Sequence, residues 1–154
     1  MKTKPIISAV ALCFVAATVC FAQEPVMGTW KLNEAKSKLV PRVPKNHTVI
    51  YEAAGDMIKV TVDGTDSAGQ PTHNEWTGKF DGQDYAVTGD PNSDMRSYRK
   101  QGARTLILTI KKDGKVTITG RIVTSANGKM RTVSTSGTDA TGKKFSQVAA
   151  YDKA

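Results

Sequence analysis

Histidine is the one side chain that titrates near neutral pH without help, and the chain holds two, His47 and His73. His73 alternates with Glu75 on the side opposite Trp76 and Phe80, so it is expected to face solvent, and His47 stands at a strand start. Two histidines so separated do not define a metal site, and surface or structural roles are expected for both. No His-Glu-x-x-His, Gly-x-Ser-x-Gly, Ser-x-x-Lys or phosphate-binding glycine loop occurs. Oxygen ligands cluster at Asp63-Gly64-Thr65-Asp66 and at Asp90-Pro91-Asn92-Ser93-Asp94. Neither cluster follows the calcium-loop spacing with its closing Glu. Asp and Asn there are read as turn formers. Catalysis, a metal and a cofactor are therefore not expected.

Two other groups of residues offer recognition rather than reaction. The aromatic set Trp30, Tyr51, Trp76, Phe80, Tyr98, Phe145 and Tyr151 can pack a core or line a cavity, with phenol and indole tips to orient a ligand. The basic residues Arg96, Arg99, Lys100, Arg104, Lys111, Lys112 and Lys115 crowd into one stretch, countered nearby by Asp94 and Asp113 only. Adjacent strands would gather them into one patch. That patch is either a solvated face with edge-protecting lysines or a functional one, a landing site for an anionic envelope surface or the rim guard of a cavity.

The elements that must carry these groups are strands. Turn signals recur at 54–56, 64–70, 81–82, 89–92, 101–102, 113–114, 127–128 and 138–142. Between them apolar residues alternate: Ile58, Val60 and Val62; Leu106, Leu108 and Ile110; Val116, Ile118 and Ile122. Period two marks a strand with one buried face. Ten strands are predicted, over 26–33, 46–53, 57–63, 71–80, 84–88, 94–100, 104–111, 115–124, 129–136 and 143–152. The one helical candidate, Asn33 to Leu39, is brief, and Pro41 and Pro44 soon end it. With no room for crossover helices the strands must run as an antiparallel meander. A meander of eight to ten such strands is expected to close into an up-and-down barrel, because closure removes edges. A two-sheet sandwich is the alternative.

An internal echo supports this pattern. Residues 53–69 align without gaps to 126–142, with 8 identities in 17 positions, mostly turn residues plus Met57/Met130 and Val60/Val133. Shared turn chemistry is the first explanation, and duplication of a three-strand unit the second.

Lys2 and Lys4 precede an apolar run from Ile6 to Phe21, and Cys20 stands three residues before a cut between Ala22 and Gln23. This is the layout of a secretory signal peptide over 1–22, with a periplasmic or extracellular destination. Both cysteines, Cys13 and Cys20, fall within it, so a mature chain of 132 residues would have none. That length suits one domain, 23–154. Losing Lys2 and Lys4 from the 22 Lys and Arg leaves 20 against 14 acidic residues, a net charge of +6. Such a protein would meet anionic envelope surfaces or acidic small molecules. Nucleic acid fits the charge but not the address, and no transmembrane helix is expected in the mature chain.

Gly28-Thr29-Trp30 on the first strand of a full meander resembles the G-x-W of the calycin group, lipocalins and fatty-acid-binding proteins among them. The mature chain is also similar to exported bacterial proteins of lipocalin-like description. The resemblance implies that Trp30 closes the barrel floor with a residue of the last strand beside it. Departures limit what carries over. Fatty-acid-binding proteins insert a two-helix lid where this chain has only Asn33 to Lys45. Their last strand carries Arg-x-Tyr to grip a carboxylate; Tyr151 matches the Tyr, but Ala149 replaces the Arg. The expectation is a binding module holding a small, partly apolar ligand in the barrel. The alternative is a filled barrel acting through its basic outer surface.

Overall fold

The computed structural model describes residues 24–154. The proposed signal peptide lies outside them. Ten strands form: β1 (Gly28–Leu32), β2 (Lys45–Ala54), β3 (Met57–Thr65), β4 (Pro71–Gly78), β5 (Tyr85–Thr88), β6 (Met95–Lys100), β7 (Thr105–Lys112), β8 (Lys115–Thr124), β9 (Met130–Thr138) and β10 (Lys144–Lys153). Each lies within two residues of its predicted bounds. Every strand pairs antiparallel with its sequence neighbours, and β1 pairs with β10 to close the barrel. Closure settles barrel against sandwich. The predicted short helix is a single 3-10 turn, Glu34–Lys36, whose Lys36 amide donates to the Asn33 side chain at 3.2 Å. Among the described residues no helix is long and apolar enough to cross a membrane.

Alternation sorts the side chains. Val49 and Tyr51, Ile58, Val60 and Val62, Trp76, Val87, Tyr98, Leu106, Leu108, Ile122, Ala149 and Tyr151 point inward and form one core. His73 lies outside, as expected, with its Nδ1 2.6 Å from Asp63 Oδ1. One barrel end, where β1 begins and β10 finishes, is closed by Val26, Trp30 and Phe80. At the other end the loop from Asn33 to Pro44 is strapped to β10: Lys38 exchanges backbone bonds with Val148, and Ser37 Oγ accepts from the Ala150 amide. Inward positions on β7, β8 and β9 change along their length. Leu106, Ile122 and Arg131 are buried near the closed end, whereas Ile110, Ile118 and Thr135 are partly exposed. That gradient marks the second end as the open one.

The internal echo has a structural counterpart. Gly64 on β3 and Gly137 on β9 are equivalent positions, and each presses on the preceding strand where the register slips. In β2 the slip lies between Asn46 and Thr48, in the ladder with β3 itself; in β8 it passes over Thr117 in the ladder with β7, opposite Ile110 and Lys111. A Cβ on Gly64 would stand 2.0 Å from the Lys45 carbonyl oxygen, and one on Gly137 2.1 Å from that of Thr117. The turns that follow also match. The Asp66 carboxylate accepts from the amides of Ala68 and Gln70, and the Asp139 carboxylate from those of Thr141 and Lys143, all between 2.9 and 3.0 Å. The shared glycines thus serve a packing need that turn chemistry does not impose.

Gly64→Ala and Gly137→Ala should each destabilise by about 2 kcal/mol or more, since backbone rather than a flexible side chain must move. Urea melts check this; an unchanged midpoint for either would remove the close-approach account. Asp139 adds a pH signature. Its carboxylate accepts from the Thr141 hydroxyl and from the Arg42 Nε at 2.6 Å, and its pKa falls from the ordinary 3.8 to about 2. A lowered folded pKa contributes stability that is full above the ordinary value and lost as pH falls through the folded one. Asp139→Asn should therefore melt below wild type at pH 7, with the gap narrowing from pH 4 toward pH 2.

Candidate functional site

Six of the seven aromatic candidates gather toward the closed end. Trp76 and Tyr98 meet edge-to-face with centroids 4.8 Å apart; Phe80 stacks on Trp76 at 6.4 Å and Tyr51 meets Tyr98 at 6.4 Å. Such contacts follow from the ring quadrupole, which favours offset and edge-on pairs. Tyr85, absent from the sequence-based set, joins the cluster against Trp76 at 5.7 Å. Both indoles find acceptors: Trp30 Nε1 donates to the Val26 carbonyl at 2.7 Å, and Trp76 Nε1 to that of Arg96 at 2.8 Å. Trp30 is fully buried, and Lys153 of β10 lies 5.2 Å from its ring. This is the floor contact that the G-x-W resemblance implies. Phe145 stands apart, buried near the open end opposite Gly137.

Arg96 belongs to this interior, which corrects its assignment to the surface cluster. It is 5% exposed and shares an inward face with Tyr98, and its Nη2 donates to Asn74 Oδ1 at 3.1 Å. The remaining basic residues do not form one patch either. Lys100 pairs with Glu24 near the closed end, where Arg104 also lies, while Lys111 pairs with Asp84 at 2.6 Å and sits with Lys112 and Lys115 at the open end. The length of β7, roughly 24 Å at 3.4 Å per residue, separates the two groups. Arg99 is exposed on β6, where its stem packs beside Gly82.

The residue that sequence reasoning missed is Arg131. It is 2% exposed, and its guanidinium carbon stands 4.5 Å from the Tyr151 ring centroid, 5.1 Å from that of Tyr51 and 5.3 Å from that of Trp30. Its β-ladder partner is Tyr151. A guanidinium therefore reaches Tyr151 from the neighbouring strand, although Ala149 offers none from the same strand. The internal echo held the signal: it aligns Arg131 with Ile58, and Ile58 is core.

Arg131 Nε and Nη1 are buried without a hydrogen-bond partner, as is Arg96 Nε. Among the described residues neither guanidinium has a carboxylate within ion-pair distance, and no Asp or Glu belongs to the buried set. Asp94, the nearest acid in sequence to Arg96, makes no ion pair with it: its Oδ2 accepts from the Asp113 amide at 2.8 Å, and its Oδ1 is buried without a partner. The tyrosines cannot serve as counterions. Burial pushes the Tyr151 phenol up to about 12 and the Tyr98 phenol higher still, so both stay neutral at physiological pH although the guanidiniums pull the other way. Arginine does not deprotonate to escape. The floor of the barrel thus holds two unneutralised cations amid aromatic rings.

Among the described residues no group of three or more His, Cys, Asp and Glu is placed to hold a metal. His47 lies in an open groove of about 460 Å³ beside the Asn33 to Pro44 loop, its Nε2 3.0 Å from Thr65 Oγ1. Fold and site together define a closed ten-stranded antiparallel barrel with a cationic, aromatic floor. No protein-family model and no curated protein matches the chain.

Trp30→Ala should destabilise by roughly 3–5 kcal/mol, as expected for emptying a large buried aromatic site. Arg131→Met should leave ligand-free protein as stable as wild type or up to about 2 kcal/mol more stable, because it removes a desolvated charge. Denaturant melts compare them. A loss at Arg131 as large as that at Trp30 would make the guanidinium a structural stacking cation.

Proposed function

We propose that this protein is an exported, lipocalin-like binding barrel that holds a small, partly apolar ligand in its interior and carries out no catalysis. The observation that carries the reading is Arg131: a fully buried guanidinium whose Nε and Nη1 have no partner, set among Trp30, Tyr51 and Tyr151. A buried donor left unbonded costs on the order of 1–3 kcal/mol, and more when charged. A ligand acceptor atom at this point would remove that cost. The partly exposed inner wall at Ile110, Ile118 and Thr135 supports entry from the open end. Tyr51, Tyr98 and Tyr151 would orient the ligand, and the rings of Trp76 and Phe80 would contact its apolar part.

One observation favours the second reading, a filled barrel that acts through its outer surface. The rings of Tyr51, Trp76, Phe80 and Tyr98 are in mutual contact, which leaves that part of the floor packed by its own side chains.

Native mass spectrometry of the protein purified from its own host separates the two. The first reading expects an added mass of a few hundred daltons that is lost on Arg131→Met. A bare protein mass in repeated preparations, with no uptake of an anionic hydrophobic dye, would sink it in favour of the second.

A further inference from the structure

The interior does not merely lack one partner atom; it holds two guanidiniums with no ion pair. Arg131 and Arg96 come from β9 and β6, on different sides of the barrel, and each is at least nine-tenths buried with an unbonded Nε. Their surroundings converge. Arg131 lies 5.1 Å from the Tyr51 ring, Tyr51 lies 6.4 Å from the Tyr98 ring, and Tyr98 neighbours Arg96 on the same inward face. Asn74 satisfies one Arg96 nitrogen as a neutral acceptor and leaves the charge uncompensated. A single buried cation can be tolerated by stacking on rings, as Arg131 is. Two buried cations in one barrel interior also repel each other, and the low local dielectric strengthens that repulsion.

Resting on the ligand-holding reading above, we infer that the ligand is doubly anionic: an amphipathic molecule with two negative charges that neutralise Arg131 and Arg96 together, its apolar portion directed to Ile110, Ile118 and Val133. The charges reside either on one head shared by both guanidiniums or on two separate acid groups. Bidentate guanidinium recognition suits carboxylate and phosphate alike. A monoanion would leave one guanidinium desolvated and unpaired, which makes charge number the property that this site selects.

Calorimetric titration at pH 8 with three probes of equal chain length tests this: octanoate with one charge, octanedioate with one at each end, and octyl phosphate with nearly two on a single head, given a second pKa of about 6. At least one dianion is expected to bind ten-fold or more tightly than octanoate, and the tighter one tells whether the guanidiniums share a head. Arg96→Met should collapse that preference toward unity; its melting curve, read alongside, confirms that the variant is folded. Octanoate binding as well as either dianion to wild type would overturn the two-charge inference while leaving the ligand-holding barrel intact. Binding of none of the three would overturn the two-charge inference, and together with a bare mass from the native host it would overturn both.

Discussion

Closure of the sheet between β1 and β10 is the interaction on which the rest of this structure depends. The pairing is short, from Trp30 opposite Lys153 to Leu32 opposite Tyr151, and the Asn33 to Lys38 segment extends it along β10. Without it the sheet would have two open edges, and inward residues of β9 and β10 would face solvent. With it, the side chains of inward parity face one shared interior. Parity alone does not discriminate between valine and arginine. Closure therefore turns an alternating pattern into a site, because it carries Arg96 and Arg131 inside along with the core.

Two devices keep the closed form in register. Glycine at 64 and at 137 lets β3 and β9 approach a slipped neighbour more closely than any Cβ would allow, and a matching Asp-led turn follows each. These repeated joints lie at the open end. The closed end depends instead on size and stacking: Trp30 bonded to the Val26 carbonyl, with Lys153 and Arg131 near its ring. The barrel is thus rigidly floored, and its inner wall is most accessible where backbone packing rather than aromatic packing sets the geometry.

The charge distribution follows the same division. Some outer charges are paired, as at Lys59 with Glu75, Lys79 with Asp56 and Lys111 with Asp84, and such solvent-facing pairs contribute little to stability. Arg96 and Arg131, by contrast, are buried without an ion pair. A protein under no constraint beyond folding would replace buried, unneutralised arginines with apolar residues of similar volume, which is often neutral or stabilising. Their presence is what sets the interior apart from a filled core.

The sequence by itself determined the strands, their order and the all-β class. Alternation at Ile58 to Val62 and Leu106 to Ile110, broken by Asp-Gly and Asn-Gly turns, leaves few alternatives to a meander. These are local properties, readable within a window of ten residues. It also brought forward the aromatic floor, because large rings on inward parity have nowhere else to go. What only the tertiary structure decided was which charges are inside and which lie together. Arg96 sits in a run of basic residues and reads as surface, yet its parity places it beside Tyr98; Arg131 reads as an isolated cation, yet ladder pairing sets it against Tyr151. The same closure splits the basic run, since the turns at the two ends of β7 are a strand's length apart. Charge clusters along a chain are one-dimensional, whereas neutralisation depends on distance across the barrel, and only closure fixes that distance.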